Sequence, residues 1–139
     1  EPDEQAAFVD EMRRQAVEAM DTLARFQPML TGALAQGAAS PHSDIELEVY
    51  ADSSKEFEQF LLNSDIAFKS EERRGGSFFT LFSEPVDVVV RVLPVQSLQS
   101  APRSAGDGRR RLTIGQLRRL LESEPGSDDG TGDVLSAEV

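Results

Sequence analysis

The chain of 139 residues has no cysteine and no tryptophan, one tyrosine and one histidine. Without thiols there is no disulfide, no thiolate zinc site and no cysteine nucleophile. That composition suits a reducing compartment, and a cytoplasmic location is expected. No apolar run approaches the roughly 20 residues that span a bilayer, so no membrane is expected among the partners. No leader segment is visible, and the chain opens on Glu1 rather than Met, which leaves room for a missing N-terminal piece. Basic residues are also scarce. Fourteen Lys and Arg stand against 25 Asp and Glu, a formal net charge of −11. Such an excess argues against general nucleic-acid binding, which rests on neutralising phosphates. The one basic run, Arg109 to Arg111, reads as a solvated linker, with docking of an acidic or RNA partner as the sharper alternative.

What is present patterns as one α+β domain, a mixed sheet flanked by helices. Val9, Met12, Ala16, Met20 and Leu23 recur at helical spacing in a segment from Glu4 to Phe26 that Pro28 ends. A short strand is expected over Met29–Leu34, then a loop of small residues from Ala35 to His42. Asp44–Ala51 alternates, with Ile45, Leu47 and Val49 on one face and acids on the other. Asp52, Ser53 and Ser54 offer caps for a helix over roughly Ser54 to Asn63. Ile66–Arg74 and Ser77–Phe82 form a hairpin about Gly75-Gly76. "VDVVVRVL", Val86–Leu93, reads as a central strand buried on both faces. Residues 96–112 read as a linker, Thr113 as the cap of a helix to Glu122, and 124–139 as a disordered tail. Phe57, Phe60, Phe78, Phe79 and Phe82 read as core.

The acids carry the question of function. Asp44, Glu46 and Glu48 occupy alternate positions of one strand and so share a face. Carboxylates that close repel each other unless a cation lies between them. Asp87 adds a third acid in a run that is otherwise apolar, where a lone carboxylate is costly to bury. Oxygen donors of this kind suit Mg²⁺ or Mn²⁺ shared with substrate phosphates. The bland alternative is a solvated strand face, and Glu48 is expected to be of that kind. His42 reads as an ordinary exposed loop residue, and Ser43 as a residue that orients its loop.

Gly32-Ala33, Gly37 and Ser43-Asp44-Ile45-Glu46-Leu47 together resemble the signature of the nucleotidyltransferase superfamily of the DNA polymerase β type. The signature runs G-S-x-x-x-G-x-x-x-x-x-S-D-[IVL]-[DE]-[LF], and the gaps match without insertion. "PVDVVV" around Asp87 is similar to the context of the family's third acid. The resemblance covers about residues 29 to 93. It implies a nucleotidyltransferase-like domain over residues 1–95. Asp44, Glu46 and Asp87 would be its catalytic and metal-holding acids. Gly32, Ala33, Gly37 and Ser43 would be its nucleotide-binding residues. It further implies Mg²⁺ or Mn²⁺, a nucleoside triphosphate as substrate, attack at the α-phosphate, and a separate helical protein as partner. Three positions depart from the pattern. Ala33 replaces a serine, Gln36 a common basic residue, and Glu46 an aspartate. The alternative is therefore a catalytically degenerate relative that serves as an interaction or regulatory module, with the late helix as its docking element. Lys69, Arg73, Arg74 and Arg91 are the candidates to offset phosphate charge.

Overall fold

The amphipathic pattern at the N-terminus becomes helix α1, Pro2–Thr22, followed by a 3₁₀ turn at Ala24–Phe26. Val9, Met12, Ala16, Met20 and Leu23 are all buried, so the helical spacing located the core stripe. The structure, a computed structural model, describes residues 2–100 and 110–123. Arg109, the middle of the expected linker and the expected disordered tail lie outside the described residues.

Five strands form one sheet in the order β1-β2-β5-β4-β3: β1 Met29–Thr31, β2 Ile45–Ala51, β3 Phe68–Arg73, β4 Gly76–Leu81 and β5 Val88–Pro94. β2 and β5 are parallel, with Ile45 opposite Val88, and the other pairings are antiparallel. Helix α3, Ser54–Asn63, has the bounds that the sequence indicates, and Ser53 caps it by accepting from Glu56 N–H at 3.1 Å. Short helices α2, Gly32–Ala35, and α4, Gln96–Ser100, replace the end of the first expected strand and the start of the expected linker. Helix α5, Ile114–Glu122, starts at a reciprocal capping box between Thr113 and Gln116.

The core lies on one sheet face. Leu30, Ile45, Leu47, Val49, Phe79, Leu81, Val88 and Val90 pack there against the buried stripe of α1 and against Phe57 and Leu61 of α3. Phe26, Phe57 and Phe79 form a chain of edge-to-face rings, with centroids 5.1 and 5.2 Å apart. The C-terminal segment belongs to this core. Leu112 pairs with Leu30 through two backbone hydrogen bonds of 2.8 and 2.9 Å, and Leu117 is fully buried.

Three expectations are corrected on the opposite, open face of the sheet. β5 is buried on one face only: Val89, Arg91 and Leu93 alternate outward, half-buried. Phe78 shares that open face, where Arg73 lies 4.4 Å from its ring centroid, and Phe82 is exposed. Neither of these two phenylalanines joins the core. Glu48 is not a solvated acid but is 7% exposed.

Candidate functional site: a charged cleft on the open sheet face

β2, β4 and β5 present alternate residues to the open face, and a cleft of about 620 Å³ lies across them. Its lining includes Thr31 of β1, Glu46 and Glu48 of β2 and the preceding His42, Ser43 and Asp44, together with Arg73 of β3, Phe78 of β4, Arg91 of β5, and Arg110 and Arg111. Two strands thus supply acids and cations through their outward positions. The segment at Arg110–Leu112 brings two more arginines because its backbone is bonded to β1.

Asp44 and Glu46 both line the cleft and are exposed. Gly32 opens α2 with φ +74° and is covered by the Glu46 side chain. A Cβ at Gly32 would stand 2.7 Å from the Glu46 carboxylate carbon, so the glycine is required for this approach. Ser43 orients its own loop: its Oγ accepts from the Ser40 N–H at 3.0 Å. Ala33 holds the following turn, its carbonyl accepting from Ala38 N–H at 2.9 Å, and Gly37 turns the chain with φ +77°. Neither Ala33 nor Gly37 lines the cleft.

Asp87 lies beside the pair along the backbone. Ile45 N–H donates to the Asp87 carbonyl at 3.1 Å, one residue before Ile45 meets Val88. Its carboxylate does not line the cleft, and Oδ1 accepts from Ser83 N–H at 3.3 Å. The loop holding Ser83 is tied to α1, because Gln15 Nε2 donates to Ser83 Oγ and to the Val86 carbonyl at 2.9 and 2.8 Å. Among the described residues no group of three or more His, Asp or Glu is placed to hold a metal ion. The three acids as they stand do not fit a resident cation, and no step is derived through one.

Sequence reasoning missed the cations on Glu48. Arg111 Nε donates to Glu48 Oε1 at 2.8 Å, and Arg91 NH1 lies 3.5 Å from Oε2. Arg91 also donates from Nε to the Gly75 carbonyl at 2.9 Å. Tyr50, two residues along the same face, has its phenol pKa raised by burial and then by the Glu48 charge, with Arg111 and Arg91 opposing. Arg73 also lines the cleft, and its hydrogen bond to Glu71 holds that carboxyl below its ordinary value. Arg13 was missed as well. It is 7% exposed and donates to the carbonyls of Leu34 and Ala35, which closes the end of α2 from beneath. The only signal for Arg13 in the sequence is a cation beside the apolar stripe of α1.

The described residues thus define an α+β domain with a mixed sheet, one face packed and the other carrying a cleft of mixed charge. No family model matches the chain, and no curated protein does. Among solved structures, the chain is similar to Cid1, a protein with RNA terminal uridylyl transferase activity. The TM-score is 0.46 at 18% identity, covering 60% of this chain and 30% of that one. It is similar also to Cid1 in complex with its short product ApU, at 0.47 and 18%, covering 65% and 32%. A cytoplasmic RNA terminal U-transferase matches at 0.45 and 21%, covering 60% and 28%. The chain therefore spans about a third of the length of these structures. No helix among the described residues is long and apolar enough to cross a membrane.

Proposed function

We propose that the open-face cleft is the nucleotide site of a nucleotidyltransferase-like protein. The observation that carries this reading is the meeting of Asp44 and Glu46 with Arg73, Arg91, Arg110 and Arg111 around one cavity. The signature's own loop contains no cation, and the fold brings cations to it from three other segments. Guanidinium groups match phosphate oxygens in charge and geometry. A cavity of about 620 Å³ is within the range of nucleotide-sized ligands.

In this reading the ligand is a nucleoside triphosphate that arrives with its own Mg²⁺ or Mn²⁺. Asp44 and Glu46 face that substrate-borne ion, and the arginines face the phosphates. Ser43 lines the cleft beside the phosphates, while Gly32, Ala33 and Gly37, which lie outside its lining, shape the turn behind Glu46. Asp87 is the third acid, next to Asp44 along the backbone, and serves the acceptor once Ser83 releases its carboxylate. The chemistry would be attack on the α-phosphate with loss of pyrophosphate, helped mainly by position and charge. A helical partner protein and a cytoplasmic setting belong to the same reading.

A second reading is favoured by one contact. The Glu46 carboxylate sits over Gly32, where a phosphate would approach the backbone. A relative with Ala33 and Gln36 in place of the family's residues could keep the fold as an interaction module, without turnover. Calorimetric titration of the chain with Mg·ATP, Mg·UTP, Mg·CTP and Mg·GTP separates the two. Saturable binding of at least one supports the nucleotide site. Heat of dilution alone with all four removes it and leaves the module.

A further inference from the structure

We propose that the free edge of β3 is a docking surface for a second copy of this chain, paired antiparallel about a two-fold axis at Ser70. β3 closes the sheet on the side away from β1, and among the described residues no strand pairs with its outer side. Its residues from Lys69 to Arg73 are exposed. The ladder shows which backbone groups face outward. Phe82 N–H donates to the Ala67 carbonyl at 3.1 Å, and these two stand directly opposite, one step beyond the Phe68–Leu81 pair. Hydrogen-bonded pairs alternate along an antiparallel ladder, so Lys69, Glu71 and Arg73 turn their N–H and C=O groups to β4. Phe68, Ser70 and Glu72 turn theirs to the open edge, where they form a template for another strand.

Charge selects the occupant and the register. A charged edge ordinarily resists pairing. A two-fold axis perpendicular to the sheet keeps each face continuous and sets one residue against its own copy. From Lys69 to Arg73 every residue but Ser70 is charged, so an axis at any other of these positions opposes like charges. Ser70 is small and neutral, and it is one of the outward-bonding residues. With the axis there, Phe68 faces Glu72 of the second copy, and Lys69 faces its Glu71, twice by symmetry. The Lys69–Glu71 pair falls at a non-hydrogen-bonded position, where opposed Cα atoms lie about 4.5 Å apart and side chains meet. Lys69 has no ion-pair partner among the described residues. Glu71 holds Arg73 at 3.2 Å on its own strand and keeps acceptor capacity for a second cation. Lys69 and Arg73 balance Glu71 and Glu72, so the acidic excess of the whole chain is not concentrated on this edge. Both clefts then open on the same side of the joined sheet, and the proposal holds whichever reading of the cleft stands.

The test is sedimentation equilibrium of the full chain at loading concentrations up to about 1 mM. A reversible monomer–dimer equilibrium is expected, with no larger species, because pairing covers the edge that makes it. Ser70→Pro is expected to leave a monomer. Proline removes the N–H that bonds across the axis, and that N–H takes no part in the ladder with β4, so circular dichroism is expected to match the native chain. Lys69→Glu is expected to weaken the dimer at least about tenfold, and Lys69→Glu combined with Glu71→Lys to recover most of it, since the exchange recreates the unlike pair. If Ser70→Pro fails to fold, Lys69→Glu and its exchange decide. A native chain that stays monomeric throughout the range overturns the proposal. So does a dimer that survives Ser70→Pro and Lys69→Glu, which places the contact elsewhere, or a double exchange no better than Lys69→Glu alone. Growth beyond two copies marks open-ended strand addition and overturns it as well.

Discussion

Arg111 and Glu48, 63 positions apart in sequence, meet at 2.8 Å on the open face of the sheet. That ion pair joins the C-terminal segment to β2, and both residues line the cleft. Arg91 reaches the same carboxylate from β5, so a single acid organises two strands and a strap.

Removing Glu48 should therefore cost more than removing a surface acid. Glu48→Ala leaves two arginines facing each other with their shared partner gone. Breaking a buried pair of this kind costs about 3 kcal/mol. Glu48→Gln keeps an acceptor and costs less. Urea denaturation of the three proteins measures both differences, and a loss below about 0.5 kcal/mol for Glu48→Ala would show the pair to be ornamental.

Tyr50 reports on the same cluster. It is the one tyrosine and there is no tryptophan, so tyrosinate absorbance in the near ultraviolet titrates this phenol alone. Burial, then Glu48, raises its pKa above the ordinary 10.0. The native state thus favours the neutral phenol. Its contribution to stability is complete below the unfolded value and is lost as pH climbs through the raised native value. The native midpoint is expected above 10.0, and Glu48→Gln should lower it part of the way, since burial remains. A midpoint at or below the unfolded one contradicts the placement of Tyr50 beside Glu48.

Leu117 tests whether the late helix is part of the domain. Its side chain is fully buried in the same core as Leu30 and Leu34. Leu117→Ala should cost about 3 kcal/mol by the lost transfer energy and the cavity left behind. A cost under about 1 kcal/mol, measured by thermal or urea unfolding, would mean that α5 docks loosely.

Gly32 and Glu46 should be coupled. Gly32→Ala strains a left-handed backbone, at about 1 kcal/mol, and forces the Glu46 carboxylate aside. In a Glu46→Ala background the crowding is gone while the backbone strain stays. A double-mutant cycle on stability should show coupling, with Gly32→Ala milder in that background than in the native chain. Additive losses would mean that the carboxylate does not rest on the glycine.

Helical and strand spacing sufficed for the α1 stripe, for α3 to its terminal residues, and for the inward positions of β2. These depend on local periodicity. The Gly-Gly hairpin was legible because turn chemistry is local as well. The cleft was half legible. Asp44 and Glu46 announce themselves by alternation, and Gly32 by the signature's spacing. The partners of Glu48 were hidden, because Arg111 lies in a polar stretch that composition alone marks as linker. Its place is decided by two backbone bonds between Leu112 and Leu30 and by burial of Leu117. Likewise "VDVVVRVL" is apolar enough for a strand covered on both sides, yet Arg91 within it faces the cleft. Its aliphatic stem tolerates the half-buried position while Glu48 and Gly75 take its head.

The most direct test of the nucleotide site is calorimetric titration of Mg·NTP into the native chain and into Asp44→Ala, with circular dichroism confirming equal folding. Saturable binding by the native protein is predicted, and Asp44→Ala should weaken it at least about tenfold, because on the proposed reading Asp44 would face the metal that the substrate brings. Native protein that binds no Mg·NTP, or an Asp44→Ala protein that binds as well or is merely more stable, would contradict it.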